Sequence, residues 1–277
     1  MNIKKYLNDQ KDIIDKALDR RLPKSGVRPK IIHKAMRYSV FSGGKRIRPI
    51  LVLEACKACS KPGDKRALKE AIVMGCAVEM VHAYSLVHDD LPSMDNDDYR
   101  RGKLACHKAF GEANAILTGD ALLTLAFNIL SNNLDADNGI KAIKELSGAV
   151  GTFGMVGGQV IDIEHKGRSV GKAVKNRINT LKTARLFEAS VILGAIAANA
   201  SDSKMRAMSV FGRSIGDAFQ IVDDIMDKDV SDVAKTKNSA ANRAEDITYR
   251  AKKALKIFGD RACILKGIAD LILKRAA

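Results

Sequence analysis

Five aspartates fall within ten residues, at 89, 90, 95, 97 and 98, and Arg100 and Arg101 follow at once. Carboxylates this close stay ionised only beside a neutralising charge. A divalent cation is the usual answer, and all-oxygen ligands suit Mg2+. Guanidinium is the side chain that fits phosphate. Residue types and order therefore point to acid groups holding metal, with metal and arginine holding phosphate. A sparser cluster, Asp223, Asp224 and Asp227, lies downstream. Asp223 and Asp227 are four apart, so on a helix they share one face about 6 Å apart. Asp89 and Asp95 are six apart, and a regular helix would splay them. Pro92 stands between them and forbids a regular helix. The chain is expected to leave its helical track around Leu91 to Met94 and bring Asp95 back. One such cluster could be a solvated helix end. Two, each closing an apolar run, could hold two or three Mg2+ and a diphosphate between them.

A different anion site is legible in Phe41-Ser42-Gly43-Gly44-Lys45-Arg46-Ile47-Arg48-Pro49. Two glycines let backbone approach a ligand, Lys45 and Arg48 follow three apart, and Pro49 suits the first turn of a helix. Backbone NH groups, a helix start and two cations together suit an anion. An ordinary glycine-capped turn with surface bases would look similar, and the Walker pattern is absent. His82 stands seven residues before Asp89, on nearly the same helix face. A lone histidine on an apolar helix is usually a core residue, but this alignment makes it a candidate phosphate donor.

These residues need long helices to position them. The five prolines, at 23, 29, 49, 62 and 92, all lie in the first third, so the remainder favours helices with short connections. The apolar periodicity predicts helices over 3–21, 28–40, 50–60, 66–88, 113–134, 141–164, 172–199, 204–228, 243–258 and 261–275. Gly151, Gly154, Gly157 and Gly158, with Gln159 and Asp162, lie in the sixth of these, and the glycine spacing suggests one small face. No β-hairpin signal is read. No linker or low-complexity run interrupts the 277 residues. The expectation is a single all-α domain over 1–277.

Net charge is +15, from 47 basic and 32 acidic residues. Aromatics are 5% and tryptophan is absent, which disfavours nucleic acid and leaves small anions as the partners. Cysteines 56, 59, 76, 106 and 263 are odd in number and mostly within apolar runs, as reduced core thiols would be. Cys56-x-x-Cys59 has no second pair at zinc-ribbon spacing. The first ten residues lack the apolar core of a signal peptide, and no uninterrupted apolar run reaches membrane-span length. A cytoplasmic protein without an integral membrane segment is expected.

Taken together, the motifs resemble the trans-isoprenyl diphosphate synthases, most closely the bacterial farnesyl diphosphate synthases. The matching pieces are the Gly43–Pro49 run; His82 through Asp90; the Asp-rich stretch through Gly102; Phe110-Gly111-Glu112-Ala113-Asn114-Ala115-Ile116-Leu117 with Gly119-Asp120-Ala121-Leu122; Gly157-Gly158-Gln159; Lys182-Thr183; and Phe219-Gln220 with Asp223, Asp224 and Asp227. The resemblance implies a helical bundle of the isoprenoid synthase type around a deep central cavity, commonly a homodimer. It implies Mg2+-dependent head-to-tail condensation of isopentenyl diphosphate with an allylic diphosphate. Asp89, Asp95 and Asp223 would hold the metals, supported by Asp90, Asp224 and Asp227. Arg100, Lys182 and Gln220 would contact the allylic diphosphate. Gly44, Lys45, Arg48, His82 and Arg101 would hold isopentenyl diphosphate. Thr183 and Gln220 would face the carbocation.

Product length follows from the same resemblance. An aromatic residue at the position of Tyr84, with Pro92-Ser93 inside the first motif, goes with fifteen carbons, and Met80 would be the next floor. The segment after Asp227 departs from the family, being shortened and lacking a Thr-Tyr-Pro. By the resemblance, Lys235 would stand for the usual lysine there. A twenty-carbon synthase and a weakly active diphosphate-binding member are the competing readings.

Overall fold

The computed structural model describes residues 2–168, 170–227 and 234–274. Among the described residues the structure is all-α apart from one two-stranded hairpin, and the chain divides into two compact units. Each boundary between them falls inside a helix rather than in a linker.

The first unit comprises Met1–Ile50 and Ile72–Ile143. Helix α1, Ile3–Arg21, buries Gln10, Ile14, Ala17 and Leu18 along one stripe, and Asn2 caps its start by accepting from the Lys5 NH. Helix α2 begins at Lys30, not at 28, because Pro29 is extended. It runs to Val40 and packs on α6. Helix α3, Ile47–Cys59, opens in this unit. Helix α4, Lys65–Asp89, is the long apolar element that delivers the first acidic cluster. It carries the buried Met80, Val81, Ala83, Tyr84 and Val87.

After α4 comes the element the sequence reading missed. Tyr99–Arg100 (β1) pairs antiparallel with Lys103–Leu104 (β2). The two residues between them, Arg101 and Gly102, both have positive φ, 54° and 76°. That is the type I′ geometry that closes a two-residue hairpin, and a glycine in its second place was the signal available. Helices α5, Cys106–Phe110, and α6, Glu112–Asn133, complete the unit with the start of α7, Ala136–Val150. By length and composition alone, α4 and α6 are each long and apolar enough to cross a bilayer, a test that core helices also pass. The apolar window of α4 is 72% buried inside the protein, as for a core helix, and that of α6 is 39% buried.

The second unit comprises Leu51–Ala71 and Lys144–Ala277. The single helix expected over 141–164 is broken at Gly151–Gly154 into α7 and α8, Met155–Glu164. Four glycines in eight residues make that break inexpensive, because each weakens a helix by about 1 kcal/mol. Helix α9, Lys172–Asn179, runs into a π-helical turn, Thr180–Ala184, and on into α10, Arg185–Ala197. Every residue of α10 from Leu186 to Ala197 is buried. Helix α11, Asp202–Asp227, lies close against it: side chains at Gly212 and Gly216 would meet Glu188 Cα and Ala184 Cα at 2.7 and 2.4 Å. Helix α12, Ala234–Ala254, starts well before the expected 243 and packs along α11. A 3-10 segment, Leu255–Ala262, kinked at Gly259, joins it to α13, Cys263–Leu273.

Candidate active site

The turn after α4 behaves as Pro92 requires. The helix ends at Asp89, and the Asp95 NH donates back to the Asp89 carbonyl at 2.8 Å. Met94 N and Asn96 N both donate to Leu91 O, at 2.9 and 3.1 Å. Leu91 is buried with Ala35, Val87, Cys106 and Ala115, and Met94 packs against them. This apolar foot fixes the turn, so Asp89 and Asp95 are brought together as expected.

Asp90 takes another course. It is 2% exposed, and its Oδ1 accepts from Arg100 Nε at 2.9 Å and also from Nη2. Burial raises its carboxyl above the usual range, while Arg100 pulls it back. Arg100 Nη2 also donates to Asp97 Oδ2 at 3.1 Å. Arg100 thus lies folded onto the acidic turn.

Its neighbour leaves in a different direction. At the tip of the hairpin, Arg101 donates through Nη1 to the Gly43 carbonyl at 2.5 Å. A side chain on Gly44 would come within 2.6 Å of that same nitrogen, and Gly44 itself has φ +113°. Only glycine lets the guanidinium lie across the loop. Lys45 is exposed beside it, Arg48 is half-buried, and Ile50 N bonds Arg46 O at 3.0 Å as α3 begins. Burial, then Arg48, Arg101, Arg46 and Arg100, hold the half-buried His82 well below its ordinary value. Burial likewise lowers Arg101. This is a region of concentrated positive charge, and it fits an anion.

Tyr84 is 6% exposed, edge-on to His88 with ring centroids 5.7 Å apart. Burial, then Asp89, push its hydroxyl up to about 12. Met80, a turn earlier, is fully buried. His88 Nε2 lies 3.0 Å from Ile116 O and 4.0 Å from Asp120 Oδ1.

In the second unit the π turn sets the geometry. A side chain on Gly158 of α8 would fall 2.5 Å from Lys182 N, so α8 and this turn lie in direct contact. Lys182 Nζ pairs with Asp162 Oδ2 at 2.8 Å. Thr183 Oγ1 donates to Gln220 Oε1 at 3.0 Å, and Gln220 Nε2 donates to Asp224 Oδ1 at 3.1 Å. Lys175, which sequence reasoning passed over, pairs with Asp224 Oδ2 at 2.7 Å. Thr183, Gln220, Asp224 and Lys175 are therefore one connected set, with Asp223 beside them on α11, while Lys182 pairs separately with Asp162. Asp227 ends α11 and Lys235 sits in α12; their side chains, and residues 228–233 of the shortened segment, lie outside the described residues.

Among the described residues no three His, Cys, Asp or Glu gather into a complete metal cage. Mg2+ does not need one, because it is commonly held by one or two carboxylates with substrate phosphates and water. The Asp89–Asp95 pair, all-oxygen and fixed by a backbone bond, fits that mode.

Comparison with known proteins gives the same class. The polyprenyl synthetase family profile matches residues 29–261, and the chain belongs to that family. It is 42% identical over 245 residues to the farnesyl diphosphate synthase of Bacillus subtilis (strain 168), covering 87% of this chain and 81% of that one. It is 37% identical over 297 residues to a geranylgeranyl diphosphate synthase of Cyanophora paradoxa, covering 99% and 97%. An FPP/GFPP synthase structure from Zymomonas mobilis superposes with TM-score 0.88 at 36% identity, over 98% of this chain and 99% of that one. The chain is a prenyltransferase of isoprenoid biosynthesis with the helical fold of the isoprenyl diphosphate synthases, which condense diphosphate substrates.

Proposed function

We propose that this chain makes farnesyl diphosphate from isopentenyl diphosphate and dimethylallyl or geranyl diphosphate. The observation that carries the reading is the hairpin. It sends Arg100 to the acidic turn and Arg101 to the Gly43–Gly44 loop, which supports a separate arginine for each diphosphate. Lys45, Arg48, His82 and Arg101 hold isopentenyl diphosphate. Arg100, Lys182 and Gln220 hold the allylic diphosphate. Asp89 and Asp95, with Asp223, Asp224 and Asp227, would hold Mg2+, which neutralises the leaving diphosphate as a Lewis acid. Asp90 is assigned to holding Arg100 in place, because its carboxylate is buried against that guanidinium.

The chain's own residues orient and shield. The allylic C1–O bond breaks and diphosphate departs with the electron pair. Isopentenyl C4 supplies its π electrons to C1, and the departing diphosphate takes the C2 proton. Thr183 and Gln220 turn oxygen atoms toward the cation, and apolar walls keep water away. The positioning of two substrates by separate cations supplies much of the rate.

Tyr84 is the residue we assign to product length. It lies five residues before Asp89, about 7 Å along the helix. Four of the five cysteines are buried and all are free, and burial pushes Cys56 and Cys59 to about 12 and about 11, which suits a reducing cytoplasm. The test is purified protein with Mg2+, labelled isopentenyl diphosphate and each allylic primer, with products separated by length. Wild type should give fifteen carbons, and Tyr84→Ala twenty or more. A wild-type product of twenty carbons would favour the geranylgeranyl reading, and no condensation at all would overturn the proposal.

A further inference from the structure

Each oxygen of the Asp224 carboxylate has a different partner. Gln220 Nε2 donates to Oδ1 at 3.1 Å, and Lys175 Nζ pairs with Oδ2 at 2.7 Å. The first bond stays within α11, and Thr183 Oγ1 donates to the same Gln220 at 3.0 Å. The second crosses to α9 and brings in a cation to which no role has yet been given. Lys175 stands seven residues before Lys182, two helical turns or about 10 Å along the axis. Lys182 in turn reaches Asp162 of α8 at 2.8 Å. Neither pair is sealed from water. The side chains of Lys175 and Asp224 are 45% and 29% exposed, and an ion pair this open contributes little to stability. An all-oxygen group already seated against a cation, with Asp223 beside it, fits Mg2+.

We infer that Lys175 is a further residue of the allylic diphosphate site, held ready on Asp224 and turned to a phosphate oxygen once Mg2+ takes that carboxylate. The inference rests on the assignment of Lys182, Gln220 and the second acidic cluster under Proposed function. In the metal-free chain the ammonium relieves the repulsion between neighbouring carboxylates. Mg2+ and the ammonium compete for Oδ2, and the divalent ion is the stronger charge. Gln220, on Oδ1, keeps the carboxylate oriented through the exchange. The displaced ammonium is then offered the anion that the metal carries. Lysine suits such an exchange, because its compact charge rides on a flexible four-carbon stem.

The test uses full-length protein with Mg2+, saturating isopentenyl diphosphate and no allylic substrate. The other diphosphate site is then filled, nothing turns over, and inorganic pyrophosphate is titrated in by calorimetry. Lys175→Gln should weaken pyrophosphate binding roughly fivefold, the upper range for a half-exposed ion pair. Lys175→Arg keeps the charge and should bind within about twofold of wild type. Arg177→Gln makes the same charge change two residues further along α9, and it too should stay within about twofold. KM for the allylic substrate should rise in Lys175→Gln while that for isopentenyl diphosphate holds. Equal losses in Lys175→Gln and Arg177→Gln would reduce the effect to general charge and overturn the inference. Tighter pyrophosphate binding in Lys175→Gln would overturn it as well, leaving the lysine only a competitor of the metal. If Lys175→Gln melts early, Lys175→Met keeps the stem and decides in its place. Lys182→Gln separates the two layers of argument. If it weakens pyrophosphate binding and Lys175→Gln does not, only the role of Lys175 is wrong. If neither does, the allylic diphosphate does not sit here, and both fall.

Discussion

At the scale of single residues, adjacency in sequence is not adjacency in role. Arg100 and Arg101 are neighbours, but one bonds Asp90 and the other bonds Gly43. Arg101→Ala should chiefly raise KM for isopentenyl diphosphate, and Arg100→Ala that for the allylic partner, as steady-state kinetics with each substrate varied would show. Equal effects on one substrate would contradict the split. His82 carries a pH prediction. Its folded value is depressed below 6.5 by burial and by the arginines, so it stays neutral when an unfolded histidine would take a proton. Stability from this group is therefore intact above the unfolded value and is lost as pH falls below it. The loss should approach about 1.4 kcal/mol per pH unit until the folded group itself titrates. Denaturant titrations of wild type and His82→Gln between pH 7 and pH 5 should diverge accordingly, with the variant the flatter. Parallel curves would mean that His82 is not depressed.

At the scale of elements, the sequence was legible where one rule acted alone. The stripe of α1 gave its limits, 3–21, and Pro92 gave the turn that returns Asp95 to Asp89. It was less legible where two rules competed. The apolar pattern carried 141–164 as one helix, while the glycines between α7 and α8 favoured a break, and the glycines won. The hairpin escaped because its strands are two residues each, too short for any alternation to register. The π turn left no periodic signature, since it widens a single turn within an otherwise continuous helix. The pairing of Lys175 with Asp224 and the capture of Asp90 by Arg100 were invisible for another reason. Both depend on which way a long charged side chain folds, which composition and spacing do not encode.

At the scale of the whole molecule, α6 is an apolar helix left partly open. Ile116 and Leu117 are 47% and 55% exposed on a helix whose apolar window is 39% buried. We propose that a second copy of the chain covers this face. Sedimentation equilibrium should give twice the monomer mass, and Ile116→Glu with Leu117→Glu should shift it toward monomer. Wild type at monomer mass would refute the assignment. The π turn at Thr180–Ala184 has a consequence of its own. Arg185 N bonds Thr180 O, five residues back, so this turn holds one residue more than a regular one. Deleting Leu181 alone would convert it to an ordinary turn while leaving α9 and α10 in phase with each other. Such a shortened chain should melt at a higher temperature than its parent and turn over far more slowly, because Lys182 and Thr183 would no longer bulge toward Asp162 and Gln220. In this helix, one supernumerary residue separates a sturdier bundle from an enzyme.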